Sequence, residues 1–275
     1  MARKITAFLL SIFFLSVAGY SLYKIIHGLN EYKVGEEAYA SLAGFVELPE
    51  SPSNTSKPVE TLTDDTVHTD TESDTDAVTV PQDIPAPKVD FDSLEAINDD
   101  ITAWIYLEGT KINYPILKGN DNDWYLNHLP DGTYNSAGSI FMDYRCSADF
   151  SDRHTILYGH HMNNDTMFNA VTYYRDQSFY DSHPYCVIVT PDGAFKVSFF
   201  AGYVATVDGD SWRVYFDSDE DYLRWIGDAV AKSSFKSTVT PKAGDKVVTM
   251  STCSNEYEDA RFVLLGVAEP IVSEK

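Results

Sequence analysis

The chain has 275 residues, with 42 Asp and Glu against 20 Lys and Arg, and a formal net charge of −22 at pH 7. Nucleic-acid binding needs clustered cations that replace counterions on the phosphate backbone, so this charge argues against a nucleic-acid partner. The three cysteines, Cys146, Cys186 and Cys253, are too few for a disulfide scaffold, and their number is odd. One pair could form, but at least one thiol stays free in a monomer, and Cys253 is the candidate.

The N-terminus opens with Arg3 and Lys4, and nineteen uncharged residues follow from Ile5 to Tyr23. A helix that crosses a bilayer needs about 20 apolar residues. A cleaved signal peptide is the alternative, with Val17-Ala18-Gly19 as its cleavage site, but signal cores are usually only about 7–15 residues long. We therefore predict a retained anchor over residues 5–23. A juxtamembrane helix is predicted over 24–46, where apolar residues recur at three- and four-residue steps.

The charges around the apolar run predict its orientation in the membrane. Arg3 and Lys4 precede the run and favour residues 1–4 in the cytoplasm, because flanking positive charge is retained on that side. Lys24 and Lys33 follow the run and weaken this bias. The sequence therefore predicts a single-pass protein of the cell membrane whose folded domain is extracellular.

Residues 50–88 have the composition of a disordered segment. They contain nine Asp or Glu, two Lys, five Pro and no Phe, Tyr or Trp. Such a segment buries too little apolar surface to offset its ordering entropy, so we predict a disordered acidic stalk over 47–88. The alternating acids from Asp70 to Asp76 could suggest a calcium site, but the glycine and the closing glutamate of an EF-hand loop are missing.

From residue 89 onwards the chain predicts one folded, mainly β domain that reaches residue 275. The segment FDSLEAINDDITAWIYL is predicted to begin with a short helix, with Asp90 or Asp92 as its N-cap. Runs rich in Val, Ile, Tyr, Phe and Thr follow: WIYLEGTKINYPIL, GSIFMDY, TILYGH, YCVIVT, AFKVSFFAGYVAT, KVVTMST and RFVLLGVAE. Only SDEDYLRWIGDAVAKS, with Lys232 near its end, then has a clearly helical pattern. Many short strands with few helices indicate a closed barrel or a sandwich.

The last two predicted strands bring a thiol and a cation together. KVVTMSTC ends at Cys253, SNEYEDA forms a loop, and RFVLLGVAE begins at Arg261. An antiparallel pair joined in this way places Cys253 near Arg261, with Ser251 on the same face as Cys253. A cation beside a thiol favours the thiolate and can hold an oxyanion. The alternative for Cys253 is a small buried hydrophobe, as most free cysteines are.

A cysteine nucleophile also needs a proton carrier, which is usually histidine. Among seven histidines, His160 ends the predicted strand TILYGH, whereas His128, His154 and His183 are predicted in loops. A structural histidine is the alternative interpretation of His160. The pair His160-His161 could suggest zinc, but neighbours on a strand point to opposite faces, and no CxxC or HxxxH accompanies them. No metal and no cofactor are therefore predicted.

Together these residues resemble the sortases, the membrane-anchored cysteine transpeptidases of Gram-positive bacteria. Sortases have a TLxTC-like strand end, an Arg on the next strand and an earlier GH motif. Here Thr249 to Cys253 has Met250 in place of the usual Leu, and Arg261 and Gly159-His160 supply the rest. The order of WIYLEGTKINYPIL, DNDWYLNH, GSIFMDYR and ILYGHHMNNDTMF resembles class B in particular, over roughly residues 90–270. The resemblance implies a closed sortase-type β-barrel of about eight strands, with an N-terminal helical segment and one late helix.

The resemblance also implies a reaction. Cys253 would attack a C-terminal sorting-signal peptide after its Thr, and the thioester would be resolved by an amine of a peptidoglycan precursor or a pilin. His160 would be the general acid and base, and Arg261 would bind the substrate carbonyl or the oxyanion. Four further positions match residues of the family's peptide groove: Asn122, Leu126, Tyr158 and Ser251. Trp212 and Tyr215 belong to a loop where the family also contacts substrate, and Ser254 stands where some class B members have an acid.

Two other functions are open at this level. An exported cysteine peptidase acting on the cell wall would also use Cys and His, but papain-like enzymes place Cys first, whereas His160 precedes Cys253 here. Arg261 has no standard role in that scheme. A non-enzymatic adhesin on an acidic stalk would need no convergence of Cys, His and Arg. The sequence therefore favours a transpeptidase, a hydrolase and acyltransferase of the cysteine-endopeptidase class.

Overall fold

The computed structural model describes residues 2–49, 84–253 and 259–271. It begins with a long helix, α1 (Ala2–Ala43). Two short strands follow, β1 (Val46–Glu47) and β2 (Lys88–Val89), and they pair antiparallel with one another. Most of the predicted stalk, residues 50–83, lies outside the described residues, so its disorder stays a prediction.

The body of the molecule is a closed eight-stranded barrel. Its strands are β3 (Ile101–Tyr106), β4 (Asn113–Leu117), β5 (Ile140–Met142), β6 (His154–Tyr158), β7 (Tyr185–Thr190), β8 (Gly193–Thr206), β9 (Lys246–Cys253) and β10 (Ala260–Ile271). The helices of the body are α2 (Phe91–Glu95), α3 (Gln177–Ser182) and α4 (Asp219–Lys232), with 3₁₀ turns at Trp124–Leu126, Asn169–Arg175 and Asp210–Trp212. The strands close in the order β10-β8-β7-β3-β4-β5-β6-β9. The prediction of a closed barrel is confirmed, and the sandwich is excluded.

Side chains from all sides of the barrel fill its interior. The largest buried ones include Trp104, Phe141, Phe199 and Phe262, each at most 2% exposed. Burying a large apolar side chain stabilises the fold by about 1.5–3 kcal/mol relative to leaving it in water. These inward residues alternate along β3, β5, β8 and β10 with outward ones, which is why the strand runs are visible in the sequence.

The late helix α4 forms where its sequence pattern predicts it. The Ser218 hydroxyl caps its N-terminus by accepting a hydrogen bond from the Asp221 N–H, and three acids lie in the first turn. Lys232 lies in the last turn, where a cation is favourable for the helix dipole. The helix buries one face, which includes Tyr222 and Trp225, against β8.

The second half of α1 packs against the barrel. The Tyr39 hydroxyl donates a hydrogen bond to the Gly138 carbonyl at 2.5 Å, and the Asn135 amide donates to the Glu31 carbonyl at 2.8 Å. The first half of α1 is exposed, and within the described part of the chain α1 is the one helix long and apolar enough to cross a membrane. The helix is therefore a candidate membrane anchor that continues without interruption into the folded body.

Two details differ from the sequence prediction. The 3₁₀ turn from Asn169 and the helix α3 were not foreseen, because both are too short to show a helical period and are held by packing, for example of Tyr180 on Phe235 at 4.3 Å between ring centroids. His154, predicted in a loop, is instead the first residue of β6. Its ring is fully buried, with Nε2 2.7 Å from the Thr249 hydroxyl.

Candidate active site

The strand pairing brings the ends of three strands to one rim of the barrel. β6 and β9 run parallel, and Tyr158 pairs with Ser251 at their carboxyl ends. His160 and Cys253 each follow two residues later, so both leave the barrel at the same place. β10 runs antiparallel to β9 and begins at this rim, where Arg261 is the direct cross-strand partner of Cys253. Adjacent strands lie about 4.8 Å apart, so the thiol and the guanidinium are neighbours.

A backbone carbonyl orients the ring of His160. Its Nε2 lies 2.6 Å from the carbonyl oxygen of Leu126. A carbonyl oxygen can only accept, so Nε2 carries the hydrogen of this bond. Nδ1 is then the nitrogen left to exchange a proton with the thiol of Cys253, with which the imidazole is hydrogen bonded.

The thiol and the imidazole shift each other's pKa. The hydrogen bond with His160 is the main reason that the pKa of Cys253 lies below the ordinary value, and the positive charge of Arg261 adds to this effect against the opposing effect of burial. The same hydrogen bond raises the pKa of His160, against burial and the repulsion from Arg261. Both shifts favour a thiolate beside an imidazolium, which is the reactive form of a cysteine nucleophile.

The exposure of the three side chains fits their positions at the rim. Cys253 is exposed, and Arg261 and His160 are half-buried. One nitrogen of Arg261, Nη1, donates to the carbonyl of Ala260 at 3.1 Å. A guanidinium has five N–H donors, so others remain to stabilise negative charge that develops beside the thiol.

The other two cysteines lie in different surroundings. Cys146 and Cys186 are buried, and no disulfide joins any of the three. Burial raises the pKa of the Cys146 thiol to about 11 and also raises that of Cys186. They are small core residues, and Cys253 is the cysteine in a reactive environment.

The four predicted groove residues do not share one kind of surroundings. Asn122 and Tyr158 are half-buried and both donate to the carboxylate of Asp143, at 3.1 Å and 2.9 Å. Leu126 exposes 40% of its surface, whereas Ser251 exposes 3%. Their role in binding substrate stays a prediction.

Sequence reasoning missed two contributions to the site. The carbonyl of Leu126 holds His160, and this is invisible in a sequence because any residue type can supply a carbonyl. The carboxylate of Asp143 ties Asn122 to Tyr158. The segment GSIFMDYR contains this Asp, and an acid at the end of an apolar strand next to Arg145 was a signal for a buried ion pair.

Comparisons with known proteins identify the family. The chain is 37% identical to sortase B of Staphylococcus aureus over 181 residues, which cover 66% of this chain and 74% of the relative. It is 35% identical to sortase B of Listeria monocytogenes over 175 residues, which cover 63% and 71%. The chain belongs to the class B sortases. It is therefore a cysteine transpeptidase. No family profile matches this sortase sequence.

Solved sortase B structures share its fold. The crystal structure of the S. aureus enzyme superposes with a TM-score of 0.63 at 36% identity, covering 66% of this sortase and 87% of that chain. The Clostridium perfringens enzyme gives 0.62 at 28% identity, with 66% and 100% covered. The S. aureus enzyme has also been solved in complex with a substrate and with triglycine. The fold predicted for the barrel is thus that of experimentally known class B enzymes.

Proposed function

We propose that Cys253, His160 and Arg261 carry out the transpeptidation. The observation that supports this assignment is the arrangement at the rim, where Arg261 pairs with Cys253 across the sheet and His160 is hydrogen bonded to the thiol. The buried thiols of Cys146 and Cys186 have no such neighbours among the groups that shift their pKa values. Cys253 is the nucleophile, His160 the general acid and base, and Arg261 the group that holds the oxyanion.

The acylation step follows from these positions. The thiolate of Cys253 attacks the carbonyl carbon that follows the Thr side chain of a sorting signal, and the C–S bond forms. Charge moves to the carbonyl oxygen, where the guanidinium of Arg261 stabilises it. The C–N bond then breaks, and the imidazolium of His160 gives its Nδ1 proton to the leaving amine. A thioester and a neutral imidazole remain.

The second step restores the enzyme. An incoming amine attacks the thioester, Nδ1 of His160 accepts its proton, and the thiolate of Cys253 leaves as the amide forms. Water in place of the amine would release the acid, so the same site has hydrolase activity of the cysteine-endopeptidase class. Neither step needs a cofactor.

The partners we propose are a C-terminal sorting signal and an amine of a peptidoglycan precursor or a pilin. The substrate and triglycine complexes of the S. aureus enzyme support a peptide and an amine as the two partners. Four residues are proposed to contact the peptide: Asn122, Leu126, Tyr158 and Ser251. Asn122, Leu126 and Tyr158 lie around the carboxylate of Asp143 and the ring of His160, which supports this placement.

We also propose that this sortase is a single-pass membrane protein whose barrel is extracellular. The candidate span in α1 and the two cations before it support this orientation. The proposed division of the chain is a cytoplasmic segment 1–4, an anchor 5–23, a juxtamembrane helix 24–46, an acidic segment 47–88 and a catalytic domain 89–275. Because α1 packs on the barrel through Tyr39, the full chain is the appropriate protein for experiments.

Mass spectrometry tests the proposed nucleophile. The full chain in detergent is incubated with NPxTN, SPxTG and LPxTG peptides, and the intact mass is measured before and after acid quenching. We expect an adduct on Cys253 equal to the N-terminal part of one peptide. The adduct should be absent in Cys253→Ala and present in Cys146→Ala, which serves as a matched thiol control. An adduct on another residue, or one that persists in Cys253→Ala, would refute the assignment.

A further inference from the structure

A buried carboxylate lies beneath the groove, and the transpeptidation chemistry does not use it. Asp143 follows β5 directly, and its side chain has no exposed surface. Its backbone N–H donates to the carbonyl of Ile156 in β6 at 2.9 Å, which fixes its position beside that strand. A buried charge is costly unless it is paired and fully hydrogen bonded. The contacts of Asp143 therefore have to account for its presence.

Arg145 neutralises this carboxylate from one side. Its Nε lies 2.8 Å from Oδ1, its Nη2 lies 2.8 Å from Oδ2, and its backbone N–H donates to Oδ1 at 3.0 Å. Burial raises the pKa of Asp143, but these bonds and that from the Tyr158 hydroxyl outweigh burial and lower the pKa to about 2. The carboxylate is thus permanently charged, and Arg145 holds it in a fork of two parallel bonds.

The groove residues hold the other side of the same carboxylate. Oδ2 accepts hydrogen bonds from the Asn122 amide at 3.1 Å and from the Tyr158 hydroxyl at 2.9 Å. The amide oxygen of Asn122 in turn accepts from the backbone N–H of Tyr144 at 3.0 Å. Asn122 precedes the 3₁₀ turn that carries Leu126, and Tyr158 lies two residues before His160. Asp143 therefore connects two separate segments of the groove.

Arg145 extends the connection to a third segment. Its Nη2 also donates to the carbonyl of Trp212 at 3.1 Å, in the 3₁₀ turn that precedes α4. Its guanidinium is one-third exposed, at 33%, so it bridges the buried carboxylate and the surface. One ion pair thus fastens the loop of Asn122, the end of β6 and the loop of Trp212.

Resting on the proposed function, we propose that the Asp143–Arg145 pair is a positioning unit that sets the geometry of the peptide groove. It acts through Asn122, Tyr158 and the Trp212 loop, and it controls affinity for the sorting peptide while leaving the reactivity of Cys253 unchanged. Neither residue touches the reacting atoms. Both are specificity-determining through the groove residues that they hold.

The side-chain amide introduced by Asp143→Asn cannot reproduce these contacts. The carboxylate accepts from five N–H or O–H groups that belong to Arg145, Asn122 and Tyr158. Whichever way the new amide is turned, its NH₂ faces two or more of these donors, and Arg145 loses its counter-charge. The substituted side chain is nearly the same size, so the change is confined to hydrogen bonding and charge.

The test compares Asp143→Asn with Asp219→Asn in the full chain. Asp219 also pairs with an arginine, Arg153, but on the exposed start of α4. We expect Asp143→Asn to raise KM for the sorting peptide about 10-fold with kcat within about threefold, because held groups lose charge-assisted bonds. The rate at which iodoacetamide alkylates Cys253 should stay within about twofold of wild type. Asp219→Asn should change none of these.

Two results would overturn the proposal. One is an unchanged KM in folded Asp143→Asn. The other is an alkylation rate that falls in step with activity, since the pair would then act on Cys253 and His160. If Asp143→Asn does not fold, Arg145→Lys replaces it, because lysine keeps the charge and lacks the fork. The same split between KM and kcat is expected of it.

Amide hydrogen exchange separates this proposal from the proposed function. Segments 121–128 and 208–216 should exchange about 10-fold faster in Asp143→Asn than in wild type, because local opening costs less when the shared ion pair is lost. Asp219→Asn should leave both segments unchanged. Unchanged exchange in Asp143→Asn refutes the positioning unit even if no peptide of the panel is a substrate. Failure of the wild type to form an adduct refutes only the function.

Discussion

A methyl group added at Gly138 is expected to disturb the catalytic histidine through a carbonyl. Gly138 has φ +56°, and a Cβ built there would lie 2.5 Å from the Leu126 oxygen and 2.6 Å from the Tyr125 oxygen. The Leu126 oxygen is the acceptor that holds Nε2 of His160 at 2.6 Å. Both obstructing atoms belong to the backbone, so no side-chain rotation can relieve the contact.

The size of the effect follows from the overlap. Carbon and oxygen atoms in contact lie at about 3.3 Å or more, so the carbonyl has to move by roughly 0.8 Å. A misplacement near 1 Å in a catalytic group can cost about 100-fold in rate. The left-handed backbone adds about 1–2 kcal/mol for a residue with a Cβ, which lowers Tm by about 2–4 °C per kcal/mol in a domain of this size.

Gly132 supplies the matched control. Its φ is +81°, and nothing lies within 4 Å of an added Cβ. Gly132→Ala therefore introduces the backbone strain alone, whereas Gly138→Ala also displaces the Leu126 carbonyl. Calorimetry and the kcat/KM for the sorting peptide are measured for both. We expect both variants to lose Tm and only Gly138→Ala to lose about 100-fold in kcat/KM. Equal kcat/KM in the two folded variants would refute the role of this carbonyl in orienting His160.

Three further predictions concern charge. Arg261→Lys should lower kcat about 100- to 1,000-fold, since lysine lacks the planar fork for the oxyanion; single-turnover kinetics would contradict this with near wild-type acylation. In His160→Gln the midpoint of Cys253 alkylation against pH should move up towards about 8.5, because the hydrogen bond that stabilises the thiolate is lost; an unmoved midpoint speaks against the pair. Burial lowers the pKa of His154 to about 4, and its unfolded value is about 6.5. The unfolded chain therefore binds more protons between these values, and stability should fall as pH drops through them, by up to about 3 kcal/mol. Urea titrations should show a flatter profile for His154→Gln, and an unchanged one would exclude His154 as the cause.

The barrel was predictable because its strands are short apolar runs separated by turn residues. The relation between Cys253 and Arg261 was predictable too, since consecutive antiparallel strands place their adjoining ends together. The meeting of His160 with Cys253 was not, because it depends on the parallel pairing of β6 with β9, which are far apart in the chain. Only the family resemblance indicated it.

Contacts made by backbone atoms and by single buried charges were also beyond the sequence. The Leu126 carbonyl carries no residue signature, and Asp143 has its partners at positions 122, 145 and 158, which no local period connects. α3 was missed because a six-residue helix shows less than two turns of periodicity.

The pairing of β1 with β2 determines how a mechanical load passes through the molecule. Val46 lies opposite Val89, and the Asp90 N–H donates to the Phe45 carbonyl at 3.0 Å, so both ends of the acidic segment are fixed at one point beside α1. A pull between the bilayer and a tethered substrate protein is transmitted along α1 and its contacts at Tyr39 and Glu31. The acidic segment forms a side branch off this line of force. A protease cut within it would leave the barrel attached to its anchor through packing alone.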